Sequence, residues 1–167
     1  MDLELAGKVA IVTGGSRGIG KAVARQLAAE GADVAIAART EETLRETAVE
    51  LGEETGQRIL PVIVDTGDDS SVRSMVDAVV AEFGRVDIIV NNAAAPYGSD
   101  RVPVLEMQAE VFKTILDVKV LGSFYASRAA AAQMIKQGDG GRIINLSSTM
   151  GKSGRANTSA YNAANFA

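Results

Sequence analysis

The stretch "TGGSRGIG", residues 13–20, decides the fold, because it joins an apolar run to a segment of helical period. The run before it, "KVAIVT" at residues 8–13, is typical of a buried strand. Glycines in the pattern T-G-x-x-x-G-x-G allow a sharp turn and let a pyrophosphate approach the start of the following helix. The stretch therefore predicts a phosphate-binding turn, with an ordinary tight turn as the alternative.

Outward from this turn, short apolar runs alternate with longer segments of helical period. The segment at residues 68–84 shows the helical pattern, with Asp and Ser at its start and Gly84 just past its end. Parallel neighbouring strands need a helical return, so the alternation predicts an α/β fold with a doubly wound parallel sheet. The irregular stretch at residues 91–106 marks a loop after the fourth run, where such sheets bind ligands. The four further strands are predicted at "DVAIAA" (33–38), "ILPVIV" (59–64), "VDIIV" (86–90) and "RIINLS" (142–147).

Composition excludes several kinds of function. With 167 residues the chain is the size of one domain, and its 17 basic and 21 acidic side chains give a net charge of -4, which argues against nucleic acid as a partner. It contains no histidine and no cysteine, so no metal site and no Ser-His-Asp triad is predicted. No run of about 18 apolar residues occurs, so no membrane partner is expected. These features favour a cytoplasmic protein.

Several motifs occur in the order that they have in the short-chain dehydrogenase/reductase family, which the chain resembles from Lys8 to its end. They are "TGGSRGIG", Asp65 after the third run, "NNAA" at residues 91–94, and "INLSS" at residues 144–148 followed by Tyr161. The resemblance implies a single NADP(H)-binding domain over residues 1–167, with a Rossmann-like doubly wound sheet. It also implies that the C-terminal strands are missing, since family members continue beyond this point.

The choice of cofactor depends on charge at the end of the second strand. Arg39 lies there, Arg17 lies in the glycine-rich turn, and no carboxylate is present at that point, which favours NADP(H) over NAD. The alternative is that Arg39 is a solvated residue paired with Glu41 or Glu42. The resemblance implies that Asp65 forms a hydrogen bond with the adenine amine. It also implies that the segment 91–93 lines the adenine ribose and stabilises the central strand. The alternatives are that the aspartate closes a turn and that the two asparagines bind the backbone of a loop. The predicted cofactor-binding residues are Gly14, Ser16, Arg17, Gly18, Ile19, Gly20, Arg39, Asp65, Thr66, Asn91 and Ala93.

The resemblance assigns the catalytic serine to Ser148 and the catalytic tyrosine to Tyr161, thirteen residues apart as in the family. Ser147 is the neighbouring alternative and is better interpreted as part of the strand end. In the family a lysine one helical turn after the tyrosine makes the phenol more acidic and holds the nicotinamide ribose. Asn165 occupies that position here and carries no charge.

A second departure lies in "DVKVLG", residues 117–122, where Lys119 replaces an asparagine that the family usually has. Asparagine and lysine thus exchange places between the two positions. The hypothesis is that Lys119 reaches toward Tyr161 and restores the missing cation, while Asn165 fills the vacated polar site. The alternative is that Lys119 extends to solvent.

The leading interpretation is an NADPH-dependent oxidoreductase, similar to 3-oxoacyl-carrier-protein reductases, that reduces a ketone or 3-oxoacyl group to an alcohol. Reduction is favoured because it needs a protonated tyrosine, whereas oxidation needs a phenolate. The competing interpretations are a catalytically impaired dinucleotide-binding protein, acting as sensor or partner subunit, and a truncated fragment without activity.

"RIINLS" would form a sheet edge that needs cover, so the expectation is an incomplete chain or a homo-oligomer, a dimer or tetramer. The expected partner is a small-molecule carbonyl substrate.

Overall fold

The computed structural model describes residues 3–95, 98 and 100–167. Five strands form one sheet: β1 (Val9–Thr13), β2 (Asp33–Ala38), β3 (Ile59–Ile63), β4 (Ile88–Asn91) and β5 (Arg142–Asn145). Their order is β3-β2-β1-β4-β5, and every neighbouring pair is parallel. The order reverses between β1 and β4, so the predicted doubly wound α/β sheet is confirmed.

Helices cover both faces of the sheet. They are α1 (Gly18–Ala29), α2 (Glu41–Thr55), α3 (Asp69–Phe83), α4 (Ala109–Leu116), α5 (Gly122–Gln137) and α6 (Ser159–Phe166). The predicted caps of α3 are present, since the Asp68 carboxylate accepts from the backbone N–H groups of Ser70 and Ser71 and Gly84 takes the left-handed conformation. None of the helices in the described part of the chain is long and apolar enough to cross a membrane.

Two apolar layers hold the helices on the sheet. On one face, Ile11 and Ile89 pack with buried residues of α3 and α5, among them Met75 and Ala126. On the other face, the strands pack with α1 and α2, and the layer includes Ala24, Ala28, Leu44 and Leu51. Small residues on α1, Ala24 and Ala28, are buried against the strands, and the short turn at residues 14–17 puts the start of α1 at the carboxyl end of β1.

The strand β5 lies at one edge of the sheet and pairs with β4. Ile143 and Ile144 on this strand are 40% and 47% exposed. An edge with exposed apolar side chains and unpaired backbone groups is where another strand or another molecule can add.

The connection from α4 to α5 is a turn of π-helix at Asp117–Leu121. Because π turns insert an extra residue into the helical path, they change the direction of the side chains in the turn. Lys119 lies in the middle of this turn, and Gly122 follows it, packed so closely on Thr66 that a Cβ would lie 2.8 Å from the Thr66 carbonyl oxygen.

Candidate cofactor site and active site

A cavity of about 690 Å³ lies at the carboxyl ends of β1, β2 and β4, beside the start of α1. This is the edge at which open parallel sheets bind ligands, at the point where the strand order reverses. Its volume falls in the range of small-molecule and cofactor sites. The lining residues are Gly14, Ser16, Arg17, Ile19, Gly20, Ala37, Ala38, Arg39, Thr40, Thr43, Val64, Thr66, Asn92, Ala93, Ala94, Ala95 and Val118.

The glycine-rich turn is held from the neighbouring strand. The Asn92 side-chain amide donates to the carbonyl oxygens of Thr13 (2.9 Å) and Gly14 (3.2 Å), and the Thr13 hydroxyl accepts from the N–H groups of Asn92 and Ala93. Gly14 has a φ of 67°, which favours glycine, and a Cβ at Gly20 would overlap the Gly14 carbonyl oxygen. These two glycines are therefore required by the shape of the turn itself.

The start of α1 presents backbone donors without acceptors. Arg17 precedes the helix, and its side chain does not cap it. The Arg17 carbonyl oxygen accepts a hydrogen bond from the Lys21 N–H. No described residue accepts from the N–H groups of Gly18, Ile19 or Gly20. Unpaired donors and the positive end of the helix dipole fit a phosphate group.

Eight of the eleven predicted cofactor-binding residues line the cavity: Gly14, Ser16, Arg17, Ile19, Gly20, Arg39, Thr66 and Ala93. Gly18 opens α1 next to it, and the exposed Asp65 carboxylate accepts from the backbone N–H of Gly67 at 3.0 Å, so that it closes a turn. Asn91 is 4% exposed, and its amide donates to Asn145 Oδ1 (2.7 Å) and Ser127 Oγ (2.9 Å). Asn91 therefore joins β4 to β5 and α5 rather than lining the cavity.

Arg17 and Arg39 are both exposed at the rim of the cavity. Within the described residues neither guanidinium makes an ion pair or a side-chain hydrogen bond. Glu41, one of the two carboxylates that could have paired with Arg39, pairs with Arg45 instead, at 2.7 Å. Both arginines therefore line the cavity without a carboxylate partner among the described residues.

Tyr161 lies in the first turn of α6 and lines a second, small cavity of about 30 Å³. Lys119, Arg101, Asp100 and Ile115 line the same cavity, together with Ala94 and Ala95, which also line the large one. The two cavities therefore meet at the segment 94–95. The Tyr161 hydroxyl makes no hydrogen bond with the described residues, so it is available to a ligand. Pro96, Tyr97 and Ser99 of the predicted loop after β4 lie outside the described residues.

The two serines after β5 have different surroundings. Ser147 donates its hydroxyl to the Asn165 carbonyl oxygen at 2.9 Å, which joins the strand end to α6. Ser148 Oγ accepts from the Met150 backbone N–H at 3.3 Å, in the 3-10 turn Thr149–Gly151. The Ser148 hydroxyl proton thus stays available for a ligand, whereas that of Ser147 is used within the protein.

Lys119 does not extend into solvent. Its ammonium donates to the Leu146 carbonyl oxygen at 2.8 Å, and its own carbonyl accepts from the Ser123 hydroxyl at 2.7 Å. Burial lowers the pKa of Lys119, because the surroundings disfavour its charged form. Lys119 therefore lines the same small cavity as Tyr161, while its ammonium is bound to the residue that follows β5.

Asn165 is 8% exposed and lies one helical turn after Tyr161. Its amide N–H donates to the Tyr161 carbonyl oxygen at 2.8 Å, while its Oδ1 has no partner among the described residues. The amide therefore binds its own helix backbone.

Residues 8–167 match the family described as short chain dehydrogenase. The chain belongs to this family. It is 42% identical over 161 residues to the short chain dehydrogenase/reductase astE of Aspergillus oryzae, covering 96% of this chain and 61% of that protein. It is 35% identical over 164 residues to the 3-oxoacyl-[acyl-carrier-protein] reductase FabG of Chlamydia muridarum, covering 98% and 64%.

Among solved structures, the chain resembles a crystal structure of NAD⁺-bound xylitol dehydrogenase, with a TM-score of 0.91 and 33% identity. The match covers 98% of this chain and 61% of that one. The chain thus spans about three fifths of the length of these proteins.

Several lining residues escape prediction from the sequence. Thr40, Thr43 and Val118 line the large cavity, and Arg101 lines the small one. Asn92 belongs to the predicted segment 91–93 and lines the large cavity, but the motif did not show which of its two asparagines faces the glycine-rich turn. Arg101 lies in an irregular loop with no motif, and only the folded arrangement brings it to Tyr161. In the described part of the chain, no group of three or more Asp and Glu side chains could hold a metal ion.

Proposed function

We propose that this short chain dehydrogenase is an NADP(H)-dependent oxidoreductase that reduces a ketone or 3-oxoacyl group to an alcohol. The observation that carries the proposal is the continuity of the two cavities. One begins at the unpaired donors of α1, the other ends at Tyr161, and Ala94 and Ala95 line both. The residues that line the large cavity would hold a dinucleotide, which would supply the hydride to a carbonyl group bound beside Tyr161.

The preference for the phosphorylated cofactor rests on Arg17 and Arg39. Two guanidinium groups at the rim of the cavity, one from the glycine-rich turn and one just after β2, suit a 2′-phosphate, with which arginine forms paired hydrogen bonds. A carboxylate that would accept from an unmodified ribose is not among the lining residues of the cavity. The xylitol dehydrogenase structure contains NAD⁺, so binding of both cofactors has to be measured.

Ser148 and Tyr161 act on the substrate carbonyl in this proposal. The Ser148 hydroxyl accepts from Met150, which leaves its proton to donate to the carbonyl oxygen. As negative charge develops on that oxygen, the Tyr161 phenol delivers its proton to it. A protonated phenol is what reduction needs, so reduction is the proposed direction.

Lys119 supplies the positive charge that Asn165 cannot. Lys119 and Tyr161 line one cavity, and the lysine is fixed by the Leu146 carbonyl rather than solvated. A partly buried ammonium acts at lower effective dielectric than one in water, which strengthens its effect on neighbouring charge. The Lys119→Ala variant tests this role: turnover falls sharply, while NADPH affinity is retained. Unchanged turnover would remove Lys119 from the mechanism.

We also propose a homo-oligomer, because the exposed apolar side chains of β5 need cover. Light scattering of the protein as it elutes from a size-exclusion column gives its mass in solution. A monomeric mass at all protein concentrations contradicts the proposed homo-oligomer.

The first experiment is a titration of the purified 167-residue chain with NADPH and, in parallel, with NADH. The chain has no tryptophan, so nicotinamide emission is followed without protein interference. Tighter binding of NADPH supports the cofactor assignment, equal binding contradicts the preference, and binding of neither by a folded sample contradicts the proposed function of this chain.

Asn165 favours one competing function, that of a catalytically impaired dinucleotide-binding protein acting as sensor or partner subunit. The amide at the lysine position is neutral and engaged with the Tyr161 carbonyl oxygen. The two functions separate at Tyr161→Phe. An oxidoreductase loses measurable turnover in this variant, whereas a sensor has no turnover to lose and keeps its NADPH affinity in both forms.

A further inference from the structure

Arg101 makes a contact with Tyr161 that the proposed chemistry has not used. The guanidinium carbon of Arg101 lies 4.7 Å from the centroid of the Tyr161 ring, within the range of a cation–π interaction. The Arg101 side chain is 22% exposed, so the contact is partly shielded from water. Cation–π contacts are stronger when they are shielded in this way. Asp100, the residue before it, is buried, with Oδ1 3.6 Å from Arg101 Nε.

The same guanidinium also contacts the turn that begins at Ser148. Arg101 Nη1 lies 3.7 Å from the sulfur of Met150, and the Met150 backbone N–H donates to Ser148 Oγ at 3.3 Å. One side chain of the loop after β4 therefore contacts the tyrosine and the turn that orients the serine.

Ser148 and Tyr161 need such a connection, because the segment between them is mostly exposed. Residues 152–157 are all exposed. Near its far end, α6 is joined to the strand end by the Ser147 hydroxyl and the Asn165 carbonyl, whereas Arg101 makes contact at the first turn, which carries Tyr161. These two contacts lie at different points of a two-turn helix that also packs on Ile115 of α4 through Ala160 and Ala164.

We propose that Arg101 is a positioning residue, which holds the Tyr161 ring against the Ser148 turn and so sets the relative position of the two hydroxyl groups. The proposal rests on the proposed function for its catalytic consequence, but the contact itself can be measured without cofactor or substrate. A planar guanidinium suits this role because it stacks on a ring and keeps its charge at every working pH.

The test uses Arg101→Met, which removes the charge and the planar group, and Arg101→Lys, which keeps only the charge. Arg58→Met is the matched control, because Arg58 lies 4.6 Å above the ring of Phe83, far from the site along the sheet. The primary readout is the nuclear magnetic resonance spectrum of the 167-residue chain with isotope-labelled tyrosine rings. The chain has three tyrosines, so Tyr161→Phe assigns the signal.

We expect the Tyr161 ring signal to shift in Arg101→Met, to shift less in Arg101→Lys, and to stay in place in Arg58→Met. The Tyr125 signal stays in place in all three. An unchanged Tyr161 signal in a folded Arg101→Met protein overturns the proposal; if that variant does not fold, an unchanged signal in Arg101→Lys does so.

Turnover and binding provide the second readout. Arg101 does not line the large cavity, so Arg101→Met keeps its NADPH affinity, whereas kcat falls about tenfold with little change in KM. A rise in KM at constant kcat contradicts a positioning role and indicates substrate binding. If the ring signal shifts but no variant turns over substrate, the proposed reductase function fails while the positioning contact stands.

Discussion

The Lys119 ammonium and the Leu146 carbonyl oxygen are joined by a hydrogen bond of 2.8 Å. Leu146 directly follows β5 and lies two residues before Ser148. The bond therefore connects the π turn between α4 and α5 to the strand end that carries the serine. Removing it affects both the charge near Tyr161 and the position of the Ser148 turn.

Burial of Lys119 predicts a pH-dependent stability. Because burial lowers the pKa of Lys119, the unfolded chain binds its proton more tightly than the folded chain. The free energy of unfolding therefore rises with pH between the lowered pKa and the unfolded value of about 10.4. As pH rises from neutral toward this value, we expect the Tm of the unmodified chain to increase relative to the Tm of Lys119→Met. The exposed Lys136→Met variant is the control, and parallel pH curves for all three proteins contradict the prediction.

The exchange of Lys119 and Asn165 predicts coupling between the two positions. Asn165→Lys alone brings a second cation toward the region of Lys119, and Lys119→Asn alone removes the first. We expect both single variants to lose turnover and the double exchange to recover most of it. A double-mutant cycle measures the coupling, and additive losses in turnover show that the two positions are independent.

Gly20→Ala should damage both stability and binding. The new Cβ overlaps the Gly14 carbonyl oxygen and approaches Asn92, so the turn has to move, at a cost of about 1–3 kcal/mol in the free energy of unfolding. NADPH binding is lost with it. Gly52→Ala in α2 is the control, because a Cβ there lies 3.7 Å from its nearest neighbouring atom and fits without a clash. The higher helix propensity of alanine stabilises this variant by up to about 1 kcal/mol. Urea unfolding compares the two variants.

Arg39→Ala tests the assignment of the 2′-phosphate. Loss of a hydrogen bond to a charged group predicts NADPH binding about tenfold weaker, with NADH binding unchanged. Arg45→Ala removes an exposed arginine that pairs with Glu41 and does not line the cavity, so both affinities stay constant. Equal weakening of NADPH and NADH by Arg39→Ala would place the arginine elsewhere on the cofactor.

Asp87, just before β4, predicts an acid-sensitive contribution to stability. Burial alone would raise the pKa of Asp87, but hydrogen bonds from the Arg85 side chain and the Val9 N–H outweigh it and lower the pKa. This contribution is complete above the unfolded value of about 3.9 and is lost as pH falls through the lower folded value.

We expect Asp87→Asn to lower the free energy of unfolding at pH 7 by about 2 kcal/mol, since Arg85 loses the closer of its two carboxylate partners and keeps only the more exposed Asp139. The exposed Asp77→Asn variant changes it by less than about 0.5 kcal/mol. Equal denaturation midpoints for the two variants contradict the prediction.

Strand positions and helix caps could be predicted from the sequence, because apolar runs and capping residues act locally. The predicted strand at residues 33–38 and the caps of α3 at Asp68 and Gly84 coincide with the structure. Side-chain direction at the ends of strands could not be predicted in the same way. Asn91 and Asn92 are adjacent, yet one faces the interior between β5 and α5 and the other faces the glycine-rich turn.

The surroundings of Tyr161 could not be predicted from the sequence for a different reason. Arg101 and Tyr161 are distant in sequence, and their contact depends on where the fold places Arg101 relative to the first turn of α6. The position of Lys119 could be named from its motif, but the partner of its ammonium could not, because the π turn sets the direction of the side chain.

The amide of Asn92 and the hydroxyl of Thr13 hold the glycine-rich turn in place through contacts made entirely within the protein. A dinucleotide bound at this turn, as proposed, would meet a preorganised surface, so little chain entropy would be lost on association. We therefore expect the association rate to be set by diffusion and charge rather than by a slow rearrangement, and differences in affinity between cofactors to be expressed mainly in how fast each one leaves.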